Sequence, residues 1–177
     1  MLLLTEKLEQ TLSDNGENHI TGEVIMTIEQ RIKSRLKLTL TDGREVGLIL
    51  NRGLTLRGGD LLSDAKRQQL IKVIAADEAV STITAGTSLL LARLCYHLGN
   101  RHVPLQIGDG FARYQRDHVL DEMVLGLGGK IDAEIAPFEP EAGAYGGHSH
   151  SHSHHGSELP HINLSRNTLT QSAVKTK

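Results

Sequence analysis

Two hydrophobic periods divide this chain. From Arg31 to Leu40 the even positions are mostly apolar (Ile32, Leu36, Leu38, Leu40) and the odd positions mostly charged (Arg31, Lys33, Arg35, Lys37). A period of two marks a strand with one buried face. Thr41-Asp42-Gly43 supplies turn chemistry, and Val46 to Leu50 is a second apolar run, so a hairpin is expected. Gly53 and Gly58-Gly59-Asp60 keep the following segments short. Residues 20–60 therefore read as the strands of a small β-rich domain. The basic row Arg31, Lys33, Arg35, Lys37 has the charge to meet phosphates, but the solvated side of a strand explains it without a ligand.

Beyond residue 70 the pattern changes. Ile71 to Ile74 and Val80 to Thr84 read as extended, after which Gly86 opens a helix with Leu91, Leu94, Cys95 and Leu98 on one stripe. Gly99 stands where a helix end favours a left-handed residue. Val103 to Ile107 reads as a strand, Gly108-Asp109-Gly110 as a turn, and Phe111 to Gln115 as the strand's partner. Asp117 is a good N-cap for a second helix with Val119, Leu120, Met123, Val124 and Leu127 on its buried side. Gly128-Gly129 ends that helix, and Lys130 to Phe138 supplies a last strand. The order β-α-β-β-α-β is that of ferredoxin-like domains. After Pro140 the periodicity disappears. The expected fold is α+β: a β-rich N-terminal domain over residues 1–72, a ferredoxin-like domain over 73–140, and a disordered His-rich tail over 141–177.

Composition narrows the function classes. The 177 residues suit one or two small domains. All five aromatics lie between Tyr96 and Tyr145, which fits a change of module. No run of 18 apolar residues is present, so no spanning helix is expected. Met1-Leu2-Leu3-Leu4-Thr5-Glu6 meets acid too early for a signal-peptide core. The single cysteine, Cys95, fits a reducing cytoplasm. A net charge of −2 gives no basic field for nucleic acid.

The candidate chemistry lies in the histidines. Five of the ten, His148, His150, His152, His154 and His155, fall within eight residues, the first four separated by single serines. Imidazole is the commonest side-chain ligand for Ni²⁺, Cu²⁺ and Zn²⁺, and serine and glycine leave the backbone free to wrap an ion. A purification tag is usually an uninterrupted run at a chain end, whereas this tract alternates and is followed by 22 residues. Outside the tail stand His19, His97, His102 and His118. His102 follows the first helix of the second domain, and His118 begins the second helix beside Asp117. A lone histidine at a helix end is ordinarily a surface residue, so a site requires convergence. His97 lies off the apolar stripe and is expected to be exposed; Cys95 lies on it and is expected to pack as a small hydrophobe. No nucleophile–base pair has motif support, and Gly126-Leu127-Gly128-Gly129 follows a helix instead of opening one. A metal hydrolase would need three protein ligands near an acid or base, and few candidates converge.

Tyr96-His97-Leu98-Gly99-Asn100-Arg101-His102-Val103-Pro104-Leu105-Gln106-Ile107, then Arg113-Tyr114 and Asp117-His118-Val119-Leu120-Asp121-Glu122-Met123, resemble the UreE family of urease accessory metallochaperones. So do Pro137 to Tyr145 before a His-rich tail, and Leu56-Arg57-Gly58-Gly59-Asp60 in the first domain. The resemblance spans about residues 20–155. It implies a homodimer joined through the C-terminal domains that delivers Ni²⁺ to apo-urease together with the urease accessory GTPase. It places His102 opposite its symmetry mate, since a two-fold axis turns one exposed histidine into two facing ligands. His118 maps to a peripheral site; some members carry a further histidine two residues earlier, where this chain has Arg116. Zn²⁺ or Cu²⁺ is expected to substitute for Ni²⁺ in vitro, because nitrogen ligands follow the Irving–Williams order. The reading of a different class is a cytoplasmic nickel or zinc store whose tail sequesters ions without a dedicated recipient.

Overall fold

The computed structural model describes residues 2–8 and 20–142. The first domain holds β1 (Leu2–Leu4), β2 (Glu6–Leu8), β3 (Gly22–Met26), α1 (Ile28–Arg31), β4 (Arg35–Thr39), β5 (Glu45–Ile49), β6 (Leu61–Ser63) and β7 (Leu70–Ala75). They form two sheets, ordered β1-β5-β4 and β2-β6-β7-β3. The expected hairpin is present: β4 and β5 pair antiparallel with Leu36 opposite Leu48 and Leu38 opposite Val46. Side chains on alternate strand positions share a face, so these residues enter one core with Leu4, Val24, Met26, Leu56, Leu62, Ile71 and Val73.

The strand expected from residue 31 is shorter than its pattern. Thr27 and Gln30 form a reciprocal capping box that winds Ile28–Arg31 into a helical turn. The alternation therefore holds only from Arg35 onward. Lys33, Arg35 and Lys37 are exposed, with Lys37 paired to Glu45 at 2.7 Å, but Arg31 is fully buried. It does not belong to the solvated row. β7 continues its parallel ladder with β3 to Ala75 and pairs antiparallel with β6.

The second domain runs β8 (Asp77–Thr84), α2 (Ser88–Gly99), β9 (Gln106–Gly108), β10 (Phe111–Gln115), α3 (His118–Gly126) and β11 (Lys130–Pro137). Its sheet has the order β11-β8-β10-β9, antiparallel at every junction, as the β-α-β-β-α-β pattern requires. Ile83, Ala112 and Ile131 stand in one cross-strand row, and Ser81, Tyr114 and Ala133 in the next. Leu94 and Leu98 of α2 and Val124 of α3 close this core against Ile83, Ala112 and Tyr114. Two residues expected on the buried side of α3 are not there: Val119 is 51% exposed and Leu127 39%. At 100° per residue Val119 points well away from Val124, and Leu127 lies beyond the last helical residue.

The domains meet around α1. Ile28 packs with Val80 and Phe138 in a small separate cluster, and the Ile28 amide donates to Glu78 Oε1 at 2.7 Å. An acceptor at the start of a helix satisfies an amide that has no partner within the helix. Among the described residues no helix is long and apolar enough to cross a membrane. The tail histidines His148, His150, His152, His154 and His155, like His19, lie outside the described residues.

Candidate metal site

The site begins with how α2 ends. Thr87 caps its start, accepting from the Leu90 amide at 3.2 Å. Leu94 and Leu98 are buried and Leu91 and Cys95 half-buried, as the apolar stripe predicts. Burial raises the Cys95 thiol above its ordinary range, so it is a packed hydrophobe rather than a thiolate.

Gly99 was expected to take the left-handed position, but it remains the last residue of the helix. The left-handed residue is His102, with φ +57°. Its amide donates to the Gly99 carbonyl at 2.9 Å, and the Val103 amide to the Leu98 carbonyl at 3.3 Å. This is the Schellman arrangement, completed by Val103 packing on the cluster that contains Leu98. The position ordinarily belongs to glycine, because a side chain there costs about 1–2 kcal/mol. His102 is exposed, so packing does not offset that cost.

His118 is exposed at the first position of α3. Asp117 accepts from the amides of Val119 at 2.8 Å and Leu120 at 3.2 Å, the N-cap expected from the sequence. Asp121 accepts the Tyr114 hydroxyl at 2.7 Å. Burial, with Asp121 beside it, pushes the Tyr114 phenol well above its usual value. Asp117 is thus engaged in capping the helix and Asp121 in binding the Tyr114 hydroxyl. His97 is exposed as expected, its ring edge-on to Tyr96 at 5.5 Å.

Among the described residues no three His, Cys, Asp or Glu side chains gather as a metal group. Of the sequence-predicted ligands only His102 and His118 are among the described residues, and neither belongs to such a group. Exposed apolar side chains lie near both helix ends: Tyr96, 65% exposed, on the last turns of α2, and Val119 on the first turn of α3.

A network that the period-two reading hides lies behind the loop after His102. Glu139 receives Arg31 Nη1 at 2.8 Å, Arg57 Nη1 at 3.3 Å and the Gly58 amide at 2.7 Å. Arg31 also donates to the carbonyls of Leu56, at 3.3 Å, and Phe138. A Cβ at Gly58 would stand 3.0 Å from Glu139 Oε1, so glycine permits this approach. The available signal was Thr27-x-x-Gln30, which converts the start of the presumed strand into a helix and turns Arg31 inward.

Two family models cover most of the chain. One described as UreE urease accessory protein, N-terminal domain, matches residues 4–76, and its C-terminal counterpart matches residues 78–162. The chain belongs to the UreE urease accessory protein family. It is 57% identical over 152 residues to the urease accessory protein UreE of Pseudomonas putida strain GB-1, covering 86% of this chain and 90% of that one. Against the Escherichia coli O157:H7 (strain EC4115 / EHEC) protein of the same name, identity is 51% over 154 residues, or 87% and 96% of the two chains. For the Tolumonas auensis protein it is 54% over 145 residues, 82% and 76%. The first match ends just after β7 and the second begins within the first residues of β8. Members of this family are accessory to urease and are not the enzyme itself.

Proposed function

We propose that this chain is a cytoplasmic nickel metallochaperone that delivers Ni²⁺ to apo-urease during active-site assembly, working with the urease accessory GTPase. The observation that carries this reading is His102, an exposed imidazole held at a left-handed position that glycine would fill more cheaply. In a homodimer joined through the C-terminal domains, two His102 rings face one another and share the ion. Exposed Tyr96 near the same helix end supplies apolar surface for such contact. Two imidazoles from two chains hold an ion weakly enough for release, which suits cargo rather than a resident metal. His118 forms at most a peripheral site.

The tail serves as the supply. The Glu141 amide donates to the Leu105 carbonyl at 2.7 Å, so the chain departs alongside the loop that carries His102. His148 lies seven residues beyond Glu141, a reach of at most about 24 Å when extended. A tether of that length keeps His148, His150, His152, His154 and His155 at high effective concentration near the site.

Nickel calorimetry on full-length protein, His102→Ala and a chain lacking residues 146–177 tests this, together with urease activation by purified components. His102→Ala is expected to lose the tightest site and most activation. The tail deletion should bind fewer ions while keeping that site, the dimer and partial activation. If His102→Ala activates like wild type and the tail deletion fails, the chain is a nickel or zinc store.

A further inference from the structure

Residues 138–141 lie between the two domains, and their polar groups divide by side. The Phe138 carbonyl and the Glu139 carboxylate turn toward the first domain, where Arg31, Arg57 and the Gly58 amide donate to them. The amides turn the other way: Glu139 N donates to Gln106 Oε1 at 3.0 Å, and Glu141 N to the Leu105 carbonyl at 2.7 Å. The segment is a strap that joins the return loop from His102 to a buried cation of the other domain. Arg31 is fully buried, and an always-charged guanidinium in that setting is strongly destabilising unless its partners stay in place. The strap therefore has one favourable position.

We infer that Glu139 and Gln106 are positioning residues for the metal site: through this strap the first domain fixes the loop from His102 to Gln106 and the point where the tail departs. His102 is held on one side by α2 through the Schellman bonds and on the other, four residues on, by Gln106, which begins the β9–β10 ladder and accepts the Glu139 amide of the strap. A ligand on a turn fastened at both ends presents its imidazole in one orientation, whereas a turn fastened at one end presents several. Groups behind a metal ligand tune affinity by holding it in this way. The inference rests on His102 being a ligand, as proposed above.

The experiment is competitive nickel titration of the full chain, with circular dichroism and dimer mass as controls. Gln106→Ala removes the side-chain bond between strap and loop, keeps the backbone bond from Glu141 to Leu105, and leaves Arg31 paired with Glu139. Glu139→Ala removes the carboxylate, and Glu139→Gln keeps an acceptor for the Gly58 amide. Gln106→Ala and Glu139→Ala are each expected to weaken the tightest site about tenfold. The double variant should be no weaker than either single one, because both break one path. Glu139→Gln should recover most of the affinity. Wild-type affinity in Gln106→Ala overturns the inference, and that variant decides alone if Glu139→Ala does not fold. Additive losses in the double variant also overturn it, since they mean two independent effects. His102→Ala in the same titration separates the premises: a tight site that survives it refutes the metal-site reading itself.

Discussion

His102 and His118 look alike by composition and exposure, for each is an exposed histidine at the end of a helix in the same domain. Their local structures differ. His118 occupies an ordinary first helical position behind an Asp117 cap, and any polar residue would serve there. His102 occupies a position with φ +57°, where glycine is the stable choice. The first is explained by the fold; the second is tolerated by it. A residue that the fold disfavours, and whose side chain is exposed, is the better candidate for function.

The comparison breaks most sharply at His102→Gly. If the imidazole is present for metal, this variant loses the tightest nickel site, and its melting free energy rises by about 1 kcal/mol as the left-handed strain is relieved. Function and stability then move in opposite directions, which thermal melts and calorimetry on one sample can show. A destabilised His102→Gly would mean that the side chain supports the turn.

The second effect belongs to the region behind His118. The Tyr114 phenol is raised above its ordinary value by burial and by Asp121. Below about pH 10 it is protonated in both folded and unfolded chains and contributes no pH dependence. Above that point the unfolded chain releases the proton while the folded one retains it, so stability falls by up to about 1.4 kcal/mol per pH unit. Denaturant midpoints at pH 9 and pH 11 should therefore separate more in wild type than in Tyr114→Phe. Equal separation would mean that the Tyr114–Asp121 bond does not hold the proton.

Much of this was legible in the sequence, and the failures have local causes. The order of elements in the second domain follows from period and punctuation: Asp117 caps its helix and Gly108-Asp109-Gly110 turns a hairpin, whereas α2 opens behind a Thr87 cap and not at Gly86. Alternation over ten residues places Arg31 in a solvated row because it is blind to a four-residue capping box that overrides its start. Propensity places the left-handed position at Gly99 because glycine is the cheapest residue there, a preference that misleads where a costlier residue such as His102 is kept. The candidate ligands could be named one at a time. Whether they converge depends on tertiary placement, which spacing does not contain.

Asp117→Ala comes next in size. Its carboxylate satisfies two amides at the start of α3, and losing such a cap typically costs about 1 kcal/mol. The melting temperature should fall while nickel affinity at the tightest site stays unchanged. A loss of nickel without a loss of stability would assign Asp117 to the metal and blur the distinction between the two helix ends.

His118→Ala should have the smallest effect. The side chain is exposed, and no hydrogen bond of the fold assigned above depends on it; an exposed change of this kind alters stability by less than about 0.5 kcal/mol. The neighbouring position that would share an ion with it is Arg116, a cation that repels metal instead of binding it. Nickel stoichiometry by calorimetry should therefore drop by no more than one weak ion per chain, with the tightest site and urease activation unchanged. The reciprocal variant sharpens the point. Arg116→His supplies a second imidazole two residues before His118 and removes the repelling charge, so it should create an additional site that His118→Ala then abolishes. If Arg116→His binds no more nickel than wild type, the helix start is not a ligand platform, and the difference between the two ends is larger than charge alone accounts for.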